Sequence, residues 1–349
     1  FSDDINISDK LSVNVGARYN FYAALGNSTQ RMYTPDIPKN DGTVIGTKTY
    51  GNNEIYKTYH GLSLRFSSRY SIDDELSLKA SLHNSYQFIH RLTNTTSANP
   101  TDIWKLSDLN IAPQKAIQAT VGLFKNIDGN NYELSVETYF KKYENILNYK
   151  VGASLLLNEY IETEVLQGPG KSYGIEFLAK KNSGDFNGWL SYSYSKSLLK
   201  LDGEFAEERI NGGEFFPTNY DKPHNLNLIV NYKLTKRFSF SSNFTFQSGR
   251  PITYPAGKYQ YQGTEFTLYG DVNKYRIPNY YRLDLGFNAE GNHKLNKVGH
   301  SFWNFSVYNV LGRNNPYAIF FVTDKGEIKA YQNSIFSTPI PTITYNFKF

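Results

Sequence analysis

The segment Gly168-Pro169-Gly170-Lys171-Ser172 resembles the end of a phosphate-binding loop, in which backbone N–H groups and a lysine hold phosphates. That motif requires another glycine five residues before Gly170, and Val165 occupies the position. The residues that follow, Tyr173-Gly174-Ile175-Glu176, begin a strand pattern, whereas a phosphate-binding loop leads into a helix. The segment therefore predicts a tight turn from a loop into a strand, and nucleotide binding is not favoured.

The sequence offers few residues for catalysis or metal binding. It contains no cysteine, which excludes disulfides, thiolate metal sites and cysteine nucleophiles. No two of its six histidines have the i, i+4 spacing of a metal motif. Asp221 and His224 could form an acid–base dyad, but no nucleophile motif of the GxSxG type accompanies them. We therefore predict no catalytic residue, no metal site and no cofactor.

Charged and imidazole side chains at alternate positions of candidate strands could contact either a substrate or a protein segment inside a barrel. Their polar neighbours at every second position place them on one face of each strand. Desolvating an isolated charge costs several kcal/mol, so each of them needs a partner or water. We favour contact with whatever fills the lumen over direct contact with substrate. The residues are Arg65, Lys79, His83, Glu133, Glu137, Glu176, Arg282 and Asp284.

The elements that must position these residues are recognised by an alternation of apolar and polar side chains. Phe238, Phe240, Phe244 and Phe246 are interspersed with serine, asparagine and threonine, and other segments repeat the pattern. A soluble sandwich would present Lys, Glu and Thr on its polar face, whereas this face is mostly Ser, Asn, Thr and Gln. Strands of about ten residues with an apolar outer face and a polar inner face are typical of transmembrane barrels.

Twelve segments show the alternation, and their connections are alternately short and long. The short ones contain Asp, Gly and Asn, which favour tight turns. The long ones run to about 20–30 residues, a length that is uncommon in compact soluble domains. The sequence therefore predicts an all-β fold, a transmembrane antiparallel β-barrel. The predicted strands are 11–25, 58–70, 76–89, 117–126, 132–143, 173–182, 187–198, 223–234, 237–247, 279–290, 300–311 and 338–349.

Composition agrees with this fold class. Tyr, Phe and Trp make up 16% of the 349 residues, and aromatic residues favour pleated surfaces. No apolar run approaches the roughly 18 residues that a membrane helix needs. The net charge of +5 is scattered along the chain, whereas nucleic-acid binding requires a clustered basic stripe. Helical membrane proteins and nucleic-acid-binding proteins are therefore excluded.

The two ends of the sequence carry separate signals. Phe1 is not an initiator methionine and no signal-peptide pattern follows it, so we expect a processed chain or part of a longer one. At the other end, aromatic and polar residues alternate up to the last residue. A strand with an aromatic carboxyl end is what outer-membrane barrels present to their assembly machinery. We therefore expect a barrel-assembly signal formed by Tyr345, Phe347 and Phe349.

Several short motifs follow one another across nearly the whole chain. They are Asn99-Pro100-Thr101-Asp102-Ile103-Trp104, Ala112-Pro113-Gln114, YELSVETY at 132–139, QGPGKSYGIE at 167–176, GWLSY at 188–192, YDKPH at 220–224, Ser248-Gly249-Arg250-Pro251, RIPNYYRLDL at 276–285, YNVLGRNNP at 308–316 and the terminal Tyr-Asn-Phe-Lys-Phe. In this order they resemble the TonB-dependent outer-membrane receptors, in the branch that carries a carboxypeptidase-regulatory-like domain before the plug.

The resemblance implies a barrel of 22 strands, an even number as in other bacterial outer-membrane barrels. Residues 1–349 would then be the C-terminal half of the barrel, strands 11 to 22. The signal peptide, the regulatory domain, the plug and the first strands would lie outside this sequence. Because the coupling motif of the family lies in that other part, no residue here is assigned to energy coupling.

The resemblance further implies active import of a nutrient, with the chain forming barrel wall and extracellular lid loops in the bacterial outer membrane. The implied partners are outer-membrane lipids, the TonB complex through the N-terminal part, the barrel-assembly machinery and, in some relatives, a surface lipoprotein. No enzymatic activity is implied. Two alternatives stay open, a self-contained passive channel or adhesin of twelve strands and an outer-membrane hydrolase.

Overall fold

The computed structural model describes residues 1–92, 103–153, 158–291, 300–324 and 327–348. One large antiparallel sheet dominates these residues, and each strand along its path pairs with the next. The thirteen strands of the path are β1 (Ser2–Ser8), β2 (Leu11–Leu25), β5 (Ile55–Ser71), β6 (Leu76–Gln87), β9 (Gln114–Ile127), β10 (Tyr132–Tyr149), β11 (Val165–Lys181), β12 (Phe186–Leu199), β14 (His224–Lys233), β15 (Phe238–Gln247), β20 (Tyr280–Glu290), β21 (His300–Tyr308) and β24 (Ile340–Lys348).

The long connections carry local structure of their own. Their paired strands are β3 (Ser28–Tyr33) with β4 (Val44–Tyr50), β7 (Ile89–Leu92) with β8 (Ile103–Leu106), β16 (Pro251–Ile252) with β19 (Tyr275–Arg276), β17 (Pro255–Tyr261) with β18 (Thr264–Tyr269), and β22 (Pro316–Asp324) with β23 (Glu327–Ser334), while β13 (Phe216–Pro217) pairs with β12. Short 3-10 helices occupy Asp41–Thr43, Ile161–Thr163, Ala206–Glu208 and Asn211–Gly213. The described residues contain no helix long and apolar enough to cross a membrane.

All twelve predicted strands are present in the sheet, and β1 adds a thirteenth that the sequence pattern missed. In β1 only Ile5 and Ile7 alternate with polar residues, a pattern too short to stand out. Backbone pairing with β2 holds the segment in place, with Ile5 opposite Val13. The Ser8 hydroxyl closes the turn between the two strands by accepting hydrogen bonds from the N–H groups of Lys10 and Leu11. Among the described residues the sheet path therefore contains thirteen strands, the twelve predicted segments and β1.

The segment that resembles a phosphate-binding loop lies inside a strand. β11 begins at Val165, and Gly170 pairs with Tyr143 of β10 and Leu199 of β12. A Cβ atom at Gly168 would overlap the carbonyl oxygen of Lys200. The glycines thus permit close packing of neighbouring backbones. The predicted tight turn was wrong, and the segment is extended sheet.

The register of the sheet separates apolar and polar side chains onto opposite faces. Phe66 of β5 lies opposite Leu82 of β6, and Phe140 of β10 continues the same row through Ala119 of β9. Phe66, Leu82 and Phe140 are 45%, 52% and 51% exposed. A continuous apolar surface of this extent marks contact with a partner or a membrane. We refer to it as the apolar face and to the opposite side as the polar face.

Buried apolar side chains gather where the strands meet the long connections. One cluster joins Ile146, Leu166 and Leu199, at the ends of β10, β11 and β12, to Ile210 and Phe216 from the connection that follows β12. A second cluster contains Leu92, Ile111, Ile161 and Val165. Burial of side chains of this size stabilises a fold by roughly 1.5–3 kcal/mol each. The long connections therefore form a packed layer at one end of the sheet, which we call the loop layer.

Part of the loop layer is bonded to the polar face of the sheet. The hydroxyl of Tyr22 in β2 donates to the carbonyl oxygen of Ser107 at 2.9 Å, and that of Tyr59 in β5 donates to the carbonyl oxygen of Asp108 at 2.8 Å. The Asp108 carboxylate is buried and forms an ion pair with Lys105 at 2.9 Å. These bonds fix the segment around residues 107–108 beside the polar face.

Candidate functional site

A buried ion pair joins two long connections of the loop layer. Asp221 precedes β14 and Arg276 precedes β20, and the Arg276 guanidinium forms a salt bridge with the Asp221 carboxylate, whose side chain is 1% exposed. Arg276 Nη1 also donates to the carbonyl oxygens of Asp221 and Gly249 at 2.9 and 3.0 Å. The other carboxylate oxygen of Asp221 accepts the Ser197 N–H at 2.7 Å. A carboxylate with this many partners is compensated for its burial.

A second ion pair lies at the start of β20. Arg282 Nε donates to Asp284 Oδ2 at 3.0 Å, and Arg282 Nη1 donates to the Tyr308 hydroxyl of the neighbouring β21 at 2.7 Å. The other oxygen of Asp284 accepts the N–H of Asn309 at 2.9 Å. Both charges therefore have partners, and together they fix the end of β21 against β20.

Backbone contacts complete the frame around these ion pairs. Asn315 exchanges two hydrogen bonds with the backbone of Tyr281, at 3.1 and 2.9 Å. The side-chain oxygen of Asn279 accepts the N–H of Gly249 at 3.0 Å. A Cβ atom at Gly249 would overlap the carbonyl oxygen of Ile277, so only glycine fits there. Motifs that are far apart in the sequence, YDKPH, SGRP, RIPNYYRLDL and YNVLGRNNP, thus meet in one place.

A cavity of about 370 Å³ opens inside this frame, and we call it the loop-end cavity. Its lining includes the cations Lys222, Arg250 and Arg282 and, among the described residues, no Asp or Glu. Lys222 Nζ donates to the side-chain oxygen of Gln247 at 2.9 Å. Arg250 Nε is buried without a hydrogen-bond partner in the described part of the chain. The rings of four aromatic residues also line the cavity: Tyr280, Tyr308, Tyr317 and Phe336.

Two of these cations lie in an unfavourable electrostatic environment. Burial lowers the pKa of the Lys222 ammonium, and the positive charge of Arg250 lowers it further. Burial likewise lowers the pKa of the Arg250 guanidinium. Desolvation therefore disfavours the charged forms of both side chains, and repulsion by Arg250 adds to this effect at Lys222.

The dyad considered from the sequence is not formed. The Asp221 carboxylate is taken up by Arg276 and Ser197, whereas His224 Nδ1 is hydrogen bonded to the Tyr192 hydroxyl at 2.8 Å on the apolar face. In the described ranges no group of three or more His, Cys, Asp or Glu side chains is arranged to hold a metal ion.

Comparison with known proteins identifies the architecture. The sequence matches the family described as TonB dependent receptor-like, beta-barrel, over residues 1–310. The chain belongs to this family. It is therefore a portion of an outer-membrane receptor barrel, in which the apolar face contacts lipid and the polar face lines the lumen. No curated protein matches the sequence.

Solved structures of receptor barrels have the same fold. The ferric-catecholate import receptor Fiu from Escherichia coli K12, in its closed form, has a TM-score of 0.61 at 14% identity; the alignment covers 99% of this chain and 43% of Fiu. FpvA of Pseudomonas aeruginosa, bound to heterologous pyoverdines, has a TM-score of 0.59 at 12% identity and coverages of 99% and 37%.

The ferric yersiniabactin uptake receptor FyuA from Yersinia pestis gives a TM-score of 0.57 at 12% identity, with coverages of 98% and 44%. The chain thus spans less than half the length of these three solved structures. At sequence identities this low, the similarity shows that the fold is shared.

Several predicted contact residues fall into rows on the lumen face of the receptor barrel. Lys79 lies opposite Gly122, which lies opposite Glu137, and Glu137 lies opposite Glu176, so one row crosses four strands. A second row pairs Arg65 with His83. The register brings these residues onto one wall, but it does not bring them to the loop-end cavity.

The remaining predicted residues lie at opposite ends of the barrel wall. Glu133 forms an ion pair with Lys180 at 3.3 Å near the short turns. Arg282 and Asp284 lie at the loop end, where Arg282 borders the loop-end cavity. The proposed contact of all these residues with substrate or plug stays a prediction.

Two of the three aromatic residues predicted as an assembly signal, Tyr345 and Phe347, lie on the lipid face. The ring of Tyr345 in β24 is 4.8 Å from that of Trp303 in β21, and Phe347 occupies the same face two residues later. Phe349 lies outside the described residues. Their role in barrel assembly stays a prediction.

Apart from Arg282 and Asp284, sequence reasoning missed the charged residues that build the loop-end cavity and its frame. Arg276, Lys222 and Arg250 lie in the motifs that carry the family resemblance, but Asp221 and Arg276 are 55 positions apart. Periodicity reports only the face of a strand, so it has no information on contacts between connections. The only sequence signal for the cavity was that these charged residues lie inside the family motifs.

Proposed function

We propose that the full-length protein imports a nutrient across the outer membrane in a TonB-dependent manner, and that this chain forms barrel wall and extracellular lid loops. The observation that carries the proposal is the packed loop layer at one end of a receptor-barrel sheet. Its ion pairs and apolar clusters supply a shaped, partly enclosed space in place of an open ring of mobile loops.

In this proposal the wall and the loop layer have different tasks. Rows of polar and charged side chains on the lumen face, such as Lys79, Glu137 and Glu176, offer partners to a plug or to a passing ligand. The loop layer receives the ligand outside, and the loop-end cavity lies between it and the lumen wall. Energy coupling belongs to the N-terminal part of the receptor, through which the TonB complex would act.

Electrical recording in planar lipid bilayers tests the proposal against the passive-channel alternative. The purified full-length protein is incorporated into a bilayer, and its conductance is measured before and after mild denaturant treatment, which would displace a plug. A plugged receptor is closed at first and conducts only after treatment. A high conductance from the outset would favour a passive channel and contradict active import. The same preparation, assayed for lipid hydrolysis, tests the hydrolase alternative.

A further inference from the structure

The lining of the loop-end cavity carries three positive charges and, among the described residues, no negative one. Arg282 is neutralised by Asp284, with which it forms contacts at 2.9 and 3.0 Å. Lys222 and Arg250 form no ion pair with any described residue, and the acid next to Lys222, Asp221, is committed to Arg276. The surplus therefore consists of two cations.

Two neighbouring, half-buried cations repel each other, and burial removes the water that would screen them. Holding the two cations in this arrangement costs free energy. An anion between them would offset that cost through charge-assisted hydrogen bonds. The buried, unpartnered Arg250 Nε supplies a donor for such a bond. The cavity is thus prepared for a negatively charged group.

The other residues that line the cavity indicate which kind of ligand would carry the negative charge. Tyr280, Tyr308, Tyr317 and Phe336 border the same cavity, and the ring of Tyr308 contacts that of Phe336 edge-on at a centroid distance of 6.1 Å. Aromatic walls favour flat, apolar or aromatic ligand surfaces. The volume of about 370 Å³ lies at the lower end of the range for small-molecule sites.

We propose that the loop-end cavity binds a small aromatic ligand that bears a carboxylate or a comparable anionic group, with Lys222 and Arg250 as the partners of the charge. This inference rests on the proposed import function, since the ligand would be the imported nutrient or a part of it. Arg282 and Asp284 brace the wall of the cavity, and the rings of the lining receive the aromatic part.

Calorimetric titration of the purified full-length receptor tests the inference. The probes are 4-hydroxybenzoate and its neutral analogue 4-hydroxybenzamide. We expect the carboxylate to bind at least about tenfold more tightly than the amide, and Arg250→Gln and Lys222→Gln each to weaken the carboxylate about tenfold. Arg250→Lys, which keeps the charge, should retain part of the affinity.

Lys236→Gln is the matched control, because it removes the same charge from an exposed short turn at the opposite end of the barrel; it should leave both affinities unchanged. Resistance of the unheated barrel to detergent verifies that each variant is folded. Equal affinities for the two probes, or no binding up to the solubility limit, would overturn the inference, the latter result indicating that another part of the protein fills the cavity. Binding in detergent needs no TonB, so this outcome is independent of the transport test.

Discussion

At the scale of single residues, the receptor barrel uses its buried charges in two ways. Asp221, Arg276, Arg282 and Asp284 have partners at hydrogen-bond distance and hold connections together. Lys222 and Arg250 have no acidic partner among the described residues and border a cavity. The first group accounts for why the family motifs meet at this point, because removing one member leaves the other buried and uncompensated. The second group is available for a ligand.

Asp284→Ala should destabilise the barrel without weakening ligand binding. The substitution leaves the Asn309 N–H without its acceptor and Arg282 without its counter-charge, which should lower the free energy of unfolding by about 1–3 kcal/mol. Arg282→Ala should act in the same direction. Urea unfolding of the purified receptor measures the effect, alongside affinity for the transported ligand.

Asp271→Ala is the control for this prediction. Asp271 forms an ion pair with Lys274 in the connection that precedes β20, but both side chains are more than half exposed, so the change should be within about 1 kcal/mol. Unchanged unfolding of Asp284→Ala together with a selective loss of ligand affinity would show that the pair contacts the ligand rather than bracing the cavity.

The stability of the loop layer should fall at alkaline pH through Tyr33. The Tyr33 hydroxyl donates to Glu162 at 3.2 Å, and burial followed by the charge of Glu162 raises the pKa of Tyr33 to about 12. A raised pKa means that folding favours the protonated phenol. Its contribution is therefore complete below the ordinary value of about 10 and is lost as the pH rises through about 12.

Thermal unfolding of wild type and Tyr33→Phe, followed at pH values between about 9 and 12, measures this contribution. The variant should lose less stability over the interval than the wild type. Tyr261→Phe, which alters an exposed tyrosine on another hairpin, should behave as wild type. Parallel pH profiles for wild type and Tyr33→Phe would contradict the assignment.

At the scale of elements, the alternation of apolar and polar side chains predicts most of the strands of the sheet. The twelve strands with clear alternation are all in the sheet. Successive side chains of a strand point to opposite faces, so a strand with one apolar face shows this alternation in its sequence. β1 was missed because Ile5 and Ile7 are its only apolar alternation. The hairpins of the long connections were missed because contacts between connections, such as that of Asp221 with Arg276, stabilise the loop layer. The loop-end cavity was beyond prediction for the same reason.

Phe244→Arg should impair insertion of the barrel. Phe244 in β15 lies opposite Leu228 and Leu283, on the lipid face, and an arginine near the middle of the membrane costs roughly 2–4 kcal/mol. The amount of folded receptor in purified outer membranes measures the effect. Asn243→Arg changes the adjacent residue on the lumen face and should be tolerated. Normal outer-membrane amounts of Phe244→Arg would contradict the assigned orientation of β15.

At the scale of the whole molecule, the chain combines an antiparallel wall with a packed layer at one end. The sheet path runs from β1 to β24, and solved receptors of the same fold are more than twice as long as the part that this chain matches. The thirteen wall strands among the described residues thus present a lumen face whose charges are available to the rest of the receptor. In the proposed function the wall is passive, and the loop layer recognises the ligand.

Active import requires that uptake depend on TonB, and this dependence can be measured in cells. Growth of a gene-deletion strain first identifies the nutrient whose use at low concentration is lost, and the initial rate of its uptake is then measured in cells complemented with the full-length receptor. We expect removal of functional TonB to reduce this rate to that of the deletion strain, with the receptor still present in the outer membrane. An uptake rate that persists without TonB would contradict active import and identify the barrel as a passive channel.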